Sequence, residues 1–193
     1  MIVLTATRLE ERAVQRELKG TNARVVRSGV GRGGTFDDDV ISCGLGGGLR
    51  RDVPSGTVVI ASEIARPTGE RVVCDAQFVS ALTAAAFALD LAPVVAPLVT
   101  TSALVRESGR QIWADRGFVA VDMESGLVFA PRVAAVRVLL DTPERELAEG
   151  WLQPWSFLVR PSMWSDLPWL AAEAPRFARL AAQIVRKVIL SIA

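Results

Sequence analysis

The sequence predicts an α/β fold with a mixed, mostly parallel central sheet flanked by helices in three layers. Short runs of apolar, β-branched residues recur along the chain, and segments with helical spacing lie between several of them. Half of the 193 residues are hydrophobic and the formal net charge is +1, as expected for a buried sheet. The length fits one domain over residues 1–193, because single cores grow to roughly 150–250 residues before chains divide.

The apolar runs define the predicted elements in order. Strands are predicted at 2–7, 24–27, 39–43, 57–62, 71–74, 94–100, 118–122 and 133–140, and helices at 8–18, 75–89 and 169–190. The longest apolar stretch, 78–99, is interpreted as a helix followed by a strand. It does not predict a membrane span, because Pro93 and Pro97 would interrupt a helix where lipid offers no hydrogen-bond partner.

Composition excludes several kinds of site. The chain has no histidine, which rules out a Ser-His-Asp triad, a Cys-His dyad and any His-ligated metal. Two cysteines are too few for a thiolate zinc site, so neither a metal nor a cofactor is expected. The balanced charge argues against nucleic acid as a partner. Without a signal-peptide pattern, and with so few cysteines, the expected location is cytoplasmic.

Two glycine-rich segments follow predicted strands. Residues 29–34 match the G-x-G-x-x-G pattern of dinucleotide-binding folds, which requires a helix directly afterwards. Asp37–Asp39 come next and would repel a pyrophosphate, so a tight turn is the alternative. Residues 44–49 follow the 39–43 strand, where α/β sheets bind ligands. There Gly46 and Gly47 would let a substrate approach the backbone, although a structural turn stays open.

Three carboxylates are candidates for proton chemistry. Glu124 follows one predicted strand, Asp141 ends another, and Glu11 lies in the helix after the first strand. If these strands share a sheet, the three acids converge at the entrance of one cavity. There they could hold sugar hydroxyls, protonate a leaving group and activate a water molecule. Each acid could equally be an ordinary solvated or helix-capping side chain.

Four segments resemble, in the same order, signatures of the purine nucleoside phosphorylase/uridine phosphorylase superfamily. Ser42–Leu49 resembles its G-x-A-G-G-L loop and Ser55–Val59 its x-G-D-(I/V)-V strand. Val121–Ser125 resembles (E/D)-M-E-(S/A), and Val136–Asp141 resembles V-R-x-(I/L)-S-D. The match is closest to the methylthioadenosine/S-adenosylhomocysteine nucleosidases. The C-terminal part, with Arg160-Pro161, is most similar to the hopanoid-associated phosphorylases, which act on adenosylhopane.

The resemblance implies cleavage of the N-glycosidic bond of a purine nucleoside, by hydrolysis or phosphorolysis. Adenosylhopane or a related nucleoside is the specific substrate that it implies. Asp141 matches the acid that protonates purine N7 as the base departs. Glu124 matches the acceptor of the ribose hydroxyls, and Met123 matches the residue packed against the sugar. Glu11 matches the base that activates water, with Glu10 as its adjacent rival in register.

The resemblance also bears on the nucleophile. Gly47 matches a glycine that lines the sugar and nucleophile site. Phosphorylases of the superfamily gather arginines around a phosphate, and Arg8 and Arg32 are the candidates here. No R-x-G-T-x-G motif precedes Gly47, which favours water. The expected partners are a small-molecule purine nucleoside, phosphate in the phosphorolytic version, and further copies of the same chain in a homo-oligomer.

The chain departs from the family pattern at identifiable places. Leu140 stands where the nucleosidases have serine, residues 32–38 are too few for a crossover helix, and the helix opened by Met123-Glu124 is expected to end by Pro131, after about two turns. The Trp- and Pro-rich stretch 151–169 is predicted to be a loop, as a lid or an interface. Two alternatives follow: a catalytically degenerate nucleoside-binding or assembly protein of the same fold, and a dinucleotide-binding protein.

Overall fold

The computed structural model describes residues 1–147 and 167–192. The strands are β1 (Ile2–Thr5), β2 (Arg24–Arg27), β3 (Gly34–Thr35), β4 (Val40–Gly48), β5 (Val58–Ala65), β6 (Arg71–Val73), β7 (Val94–Thr100), β8 (Ala120–Asp122), β9 (Val128–Phe129) and β10 (Val133–Asp141). The helices are α1 (Arg8–Glu17), α2 (Ala76–Phe87), α3 (Ser108–Asp115) and α4 (Leu167–Ile192), with a 3-10 turn at Ser125–Leu127.

Eight of these strands form one sheet that closes on itself. β4 pairs in parallel with β1 and β10 and antiparallel with β8. β10 pairs antiparallel with β5, and β5, β7 and β8 run parallel, so the pairing returns to β4. β2 extends the sheet beside β1, and β6 pairs with β5. The predicted α/β fold with a mixed, mostly parallel sheet is confirmed.

The main hydrophobic core lies between this sheet and three helices. Val14 of α1, Leu82 of α2 and Ile184 of α4 are fully buried against Ile41 and Val136 of the sheet. Because side chains alternate along a strand, the neighbouring residues of β4 and β10 fill a second core on the opposite face. Each such aliphatic side chain stabilises the fold by about 1.5–3 kcal/mol on burial.

Several connections differ from the sequence-based expectation. β2 and β4 flank β1, so the chain crosses β1 without a helix and forms only the short strand β3 on the way. The expected two-turn helix after Met123-Glu124 is wrong, because the chain makes a single 3-10 turn and then enters β9, which pairs with β3. β4 continues to Gly48, so residues 44–48 are strand and not a loop.

The long apolar stretch 78–99 contains most of α2 and most of β7, so it is a helix followed by a strand, as predicted. Within residues 1–147 and 167–192, no helix has both the length and the apolar character to cross a membrane. Most of the Trp- and Pro-rich stretch, together with Arg160-Pro161, lies outside the described residues.

Candidate active site

A cavity of about 210 Å³ lies where the segments after β1, β7, β8 and β10 meet the C-terminal half of β4. Three carboxylate side chains line it together with Asp122, and much of the remaining wall is apolar. The lining residues are Ala6, Thr7, Glu10, Val30, Leu45, Gly46, Gly47, Thr101, Ala103, Leu104, Val105, Val121, Asp122, Met123, Glu124, Leu140, Asp141 and Leu147. A concave, mostly apolar cavity with a few convergent polar groups is the usual form of a small-molecule site.

Glu10 enters the cavity from the first turn of α1. Its Oε2 accepts hydrogen bonds from Thr7 N at 2.7 Å, Thr7 Oγ1 at 2.8 Å and Ala6 N at 3.2 Å. Thr7 Oγ1 accepts in turn from Glu10 N at 3.3 Å, which completes a capping box at the start of the helix. This arrangement turns the Glu10 carboxylate back over the helix N-terminus, towards the end of β1.

The second oxygen of Glu10 reaches β4. Its Oε1 accepts a hydrogen bond from Leu45 N at 2.7 Å. A Cβ atom at Gly44 would collide with this carboxylate, so glycine is required there for the close approach of helix and strand. A carboxylate oxygen can accept two hydrogen bonds, so Oε1 retains an acceptor position for a water molecule or substrate.

Glu11 points elsewhere. It does not line the cavity, and its carboxylate lies 3.6 Å from Arg27 Nη1 on β2. Adjacent positions on a helix point about 100° apart, so only one of the two glutamates can face the cavity. Glu10, the rival in register, therefore occupies the position in the cavity that the sequence resemblance implies for Glu11.

Glu124 also lines the cavity, from the turn that follows β8. It is buried, its Oε1 accepts from Gly31 N at 3.0 Å and its Oε2 from Met123 N at 3.3 Å. Burial and the nearby negative charge of Asp122 together raise the pKa of Glu124 to about 7, against the lowering effect of Arg137. Near neutral pH this carboxyl group therefore changes between donor and acceptor-only forms.

A buried ion pair supports this turn from below. Arg137 Nη2 donates to Asp122 Oδ2 at 2.7 Å and to Ser42 Oγ at 2.7 Å. Asp122 Oδ1 accepts from Thr100 Oγ1 at 2.6 Å and from Ser125 N at 3.3 Å. Both charged side chains are buried, and Asp122 bonds to Arg137 and to Ser125 N, so the pair holds the backbone of the Glu124 turn in one position.

The raised pKa of Glu124 gives a prediction for stability. A carboxyl group whose pKa is higher in the folded state than in the unfolded state destabilises the fold as pH rises from about 4.5 to about 7. When the pH is raised from 5 to 8, wild type should lose stability at this site and Glu124→Gln should not. We therefore expect the variant to gain about 1–3 kcal/mol in free energy of unfolding relative to wild type over this range. Chemical denaturation across that range measures it, with the surface variant Glu173→Gln as control. A difference that does not change with pH would contradict the prediction.

Asp141 completes the set of carboxylates at the end of β10. Its Oδ1 lies 2.7 Å from Arg110 Nη2 and accepts from Leu147 N at 2.9 Å. Burial raises the pKa of Asp141, although the Arg110 guanidinium lowers it in opposition. Within the described part of the chain Oδ2 accepts no hydrogen bond, which leaves this oxygen for a substrate.

Arg110 holds Asp141 from α3 and is itself almost fully buried. Its Nε donates to Glu146 Oε1 at 2.8 Å, and Nη1 donates to the carbonyl oxygen of Gly48. The guanidinium thus joins the end of β4, the end of β10 and the segment that follows β10. It lies behind the carboxylate and does not line the cavity itself.

The structure brings together most of the residues that the sequence singles out. Asp141, Glu124, Met123, Gly46 and Gly47 all line the one cavity.

The two arginine candidates for phosphate binding do not reach that cavity. Arg8 lines a separate groove between α1 and α4, and Arg32 lies in the β2–β3 connection. Among the described lining residues of the cavity there is no lysine or arginine.

The first glycine-rich segment contributes to the wall of the cavity. Gly31 donates its N–H to Glu124, and Val30 lines the cavity. The segment continues into β3 and not into a helix, so the helix N-terminus that a dinucleotide site needs is missing at this position.

Two features of the site, the role of Glu10 and the presence of Arg110, are not predicted from the sequence. The choice of Glu10 has a signal, since Thr7 and Glu10 have the T-x-x-E spacing of a capping box at the predicted helix start. Arg110 has none, because helix α3 is not predicted and begins after Glu107 without a side-chain cap. Within the two described ranges, no group of three or more His, Cys, Asp or Glu side chains is arranged to hold a metal ion.

The chain belongs to the Phosphorylase superfamily, whose sequence profile matches residues 6–131. That range contains Glu10 and Glu124. It therefore covers two of the three carboxylates of the cavity. No curated protein matches the chain in a sequence comparison.

Solved structures with the same fold span nearly the whole chain. Futalosine hydrolase of Helicobacter pylori has a TM-score of 0.72 at 12% identity, over 98% of this chain and 97% of that one. The S-adenosylhomocysteine nucleosidase of Streptococcus pyogenes has a TM-score of 0.73 at 13% identity, over 100% and 96%. The 5′-methylthioadenosine/S-adenosylhomocysteine nucleosidase of Neisseria meningitidis has a TM-score of 0.72 at 17% identity, over 98% of each chain. At these identities the similarity establishes the fold.

Proposed function

We propose that this protein hydrolyses the N-glycosidic bond of a purine nucleoside. The observation that carries the proposal is the convergence of Glu10, Glu124 and Asp141 on one small cavity. A glycosidic bond breaks through a transition state in which positive charge develops on the sugar, and surrounding carboxylates stabilise that charge. The similar solved structures support it, since they include nucleosidases in complex with methylthio-immucillin-A and with 5-methylthiotubericidin.

Asp141 is the general acid in this proposal. As the bond from the sugar C1′ to the purine N9 breaks, its electron pair moves into the base, and a proton delivered to N7 keeps the base from leaving as an anion. Burial and the resulting raised pKa favour a carboxyl group that carries this proton. Arg110 and Leu147 N hold Oδ1, so Oδ2 is the oxygen that faces N7.

Glu10 and Glu124 act on the sugar side. Glu10 Oε1 holds the attacking water and takes its proton, while the water oxygen forms the new bond to C1′. Glu124 in its ionised form accepts hydrogen bonds from the ribose hydroxyls, and Met123 packs against the sugar ring. The products are the free base and a ribose with a hydroxyl at C1′.

The apolar wall supports a nucleoside with an apolar 5′ substituent. Val30, Leu104, Val105, Leu140 and Leu147 line the same cavity as the carboxylates. The C-terminal sequence resemblance makes adenosylhopane the specific substrate in this proposal. A hydrophobic substituent gains about 25 cal/mol for each Å² of apolar surface that it buries.

Water is the proposed nucleophile because the described wall of the cavity offers no arginine or lysine to a phosphate. We expect adenine release from adenosine, methylthioadenosine, S-adenosylhomocysteine or adenosylhopane at the same rate in phosphate-free buffer and in phosphate. Chromatography of the free base measures the rate, and the sugar product distinguishes ribose from ribose 1-phosphate. Release that depends on phosphate would refute hydrolysis, and no release from any of the four would refute cleavage.

A catalytically degenerate nucleoside-binding protein is the second candidate. The observation that favours it is the ion pair of Asp141 with Arg110, because a nearby guanidinium stabilises the carboxylate and opposes its protonation. In that case nucleosides bind in the cavity and remain intact. Calorimetry with the same four nucleosides, combined with the release assay, separates the two candidates.

A further inference from the structure

A second cleft, of about 800 Å³, lies beside the candidate active site. It is bounded by the β5–β6 connection, the segment after β7 and helix α3. Four arginines line it, namely Arg66, Arg71, Arg106 and Arg116, and none of its described lining residues is acidic. Threonine and serine hydroxyls lie in the segments after β5 and β7, so the lining supplies hydrogen-bond donors together with positive charge.

Arg66 is the most informative of these arginines. Its side chain is only 10% exposed, and its Nε and Nη1 atoms have no hydrogen-bond partner among the described residues. Nη2 donates weakly to the carbonyl oxygen of Val128 at 3.4 Å, and the exposed Glu70 carboxylate lies 3.4 Å from Nε outside hydrogen-bond geometry. A buried guanidinium with unsatisfied N–H groups is costly, and an anion in the cleft would satisfy them.

Aromatic rings hold three of the guanidinium groups in place. Arg66 lies 3.9 Å above the ring of Phe129, Arg71 lies 4.8 Å above Phe118, and Arg116 lies 4.8 Å above Trp113. A guanidinium stacked on a ring still directs its N–H groups outward in the ring-parallel plane. Arg71 uses one of them for Glu63, whereas Arg66 Nε and Nη1 have no hydrogen-bond partner among the described residues. Because the rings restrict these side chains before any ligand arrives, less conformational entropy is lost on binding.

We propose that this cleft binds the phosphate group of a small-molecule ligand, at a site separate from the catalytic cavity. Arginine forks suit the oxygens and the double negative charge of a phosphate group, and four arginines line this cleft. Arg71 and Arg106 also contact Glu63 and Glu146, so the unsatisfied N–H groups of Arg66 are the principal donors for the ligand. The volume lies within the range of small-molecule sites, so a phosphate with an organic substituent fits. Trp113 and Phe118 give the cleft an apolar side for that substituent.

The cleft and the catalytic cavity share one wall. Thr101, Ala103, Leu104 and Val105 line both. A ligand in the cleft therefore contacts a segment that also lines the catalytic cavity, and none of the four arginines lines that cavity.

The test is calorimetric titration of the full-length protein at low ionic strength with two probes, inorganic phosphate and phenyl phosphate. Saturable binding is expected, and Arg66→Gln is expected to weaken it by roughly tenfold or more, since charge-assisted hydrogen bonds are lost. Arg116→Gln is a second variant that should fold normally, because Arg116 is exposed. The matched control is Arg132→Gln, since Arg132 is likewise stacked on an aromatic ring but lies outside the cleft.

The two probes distinguish the sources of the phosphate. Tighter binding of phenyl phosphate indicates a phosphomonoester ligand, and equal or weaker binding indicates free phosphate; both results support the site. The proposal is overturned if neither probe saturates, or if Arg66→Gln and Arg116→Gln both bind the probes as Arg132→Gln does. The readout is binding, so it is independent of whether the catalytic cavity releases a base.

Discussion

Replacing Asp141 with asparagine is expected to lower the rate of base release by roughly 10²–10⁴-fold and to leave nucleoside affinity nearly unchanged. The asparagine amide has the same shape and fills the same space at the end of β10, but it cannot deliver an acidic proton to the purine. Its side-chain oxygen can still accept from Leu147 N and lie beside the Arg110 guanidinium, so the end of the strand keeps its contact with the following segment. Single-turnover kinetics measure the rate, and calorimetry with an uncleavable nucleoside analogue measures the affinity.

The matched control for this experiment is Asp39→Asn. Asp39 is also paired with an arginine, Arg132, at 2.6 Å, but on the protein surface away from the cavity. Its substitution is expected to leave the rate of base release at the wild-type level. If Asp141→Asn keeps the wild-type rate under single-turnover conditions, Asp141 is not the general acid.

The second large effect is expected at Glu10, where activity and stability fall together. Glu10→Gln should lose roughly 10²–10⁴-fold in rate, because an amide cannot take the proton of the attacking water. Both carboxylate oxygens accept from backbone N–H groups, so the amide nitrogen of glutamine must face either Leu45 N–H or Thr7 N–H. That donor-to-donor contact leaves a buried group unsatisfied and costs about 1–3 kcal/mol of the free energy of unfolding.

Glu11→Gln provides the comparison at the next position of the same helix. Glu11 is partly exposed and makes one ion pair with Arg27 at 3.6 Å, so its substitution should change the free energy of unfolding by about 0.5 kcal/mol or less. The rate of base release should stay at the wild-type level. If Glu11→Gln loses activity and Glu10→Gln retains it, then Glu11 is the base, as the sequence resemblance implies.

Strands that are marked by a local pattern of apolar and turn residues are predicted well from the sequence. β2 at 24–27 and β7 at 94–100 agree at both ends, because β-branched residues and flanking turn residues mark them. The predicted strand 39–43 ends well before β4 does, because a run of glycines shows no alternation of polar and apolar side chains. This run is a strand only because β8 and β10 pair with it on either side.

The residues of the candidate site also differ in how far the local sequence predicts them. Glu124 and Asp141 follow strands that the sequence predicts, and strand ends place them beside one another. Arg110 lies 31 positions from Asp141 on a helix with no cap, and only the folding of α3 over the ends of β4 and β10 brings the two together. Long-range contacts of this kind have no signal within either segment, so the sequence alone does not predict them.

The capping box at Thr7 and Glu10 makes the proposed catalytic base part of a helix end. Helix termini open locally with a lower free energy than the whole fold. When the first turn of α1 frays, the Glu10 carboxylate releases Thr7 N, and its contact with Leu45 N has no other support from the helix. We therefore expect the fraction of molecules with a complete site to follow this local opening equilibrium, because it requires less free energy than global unfolding.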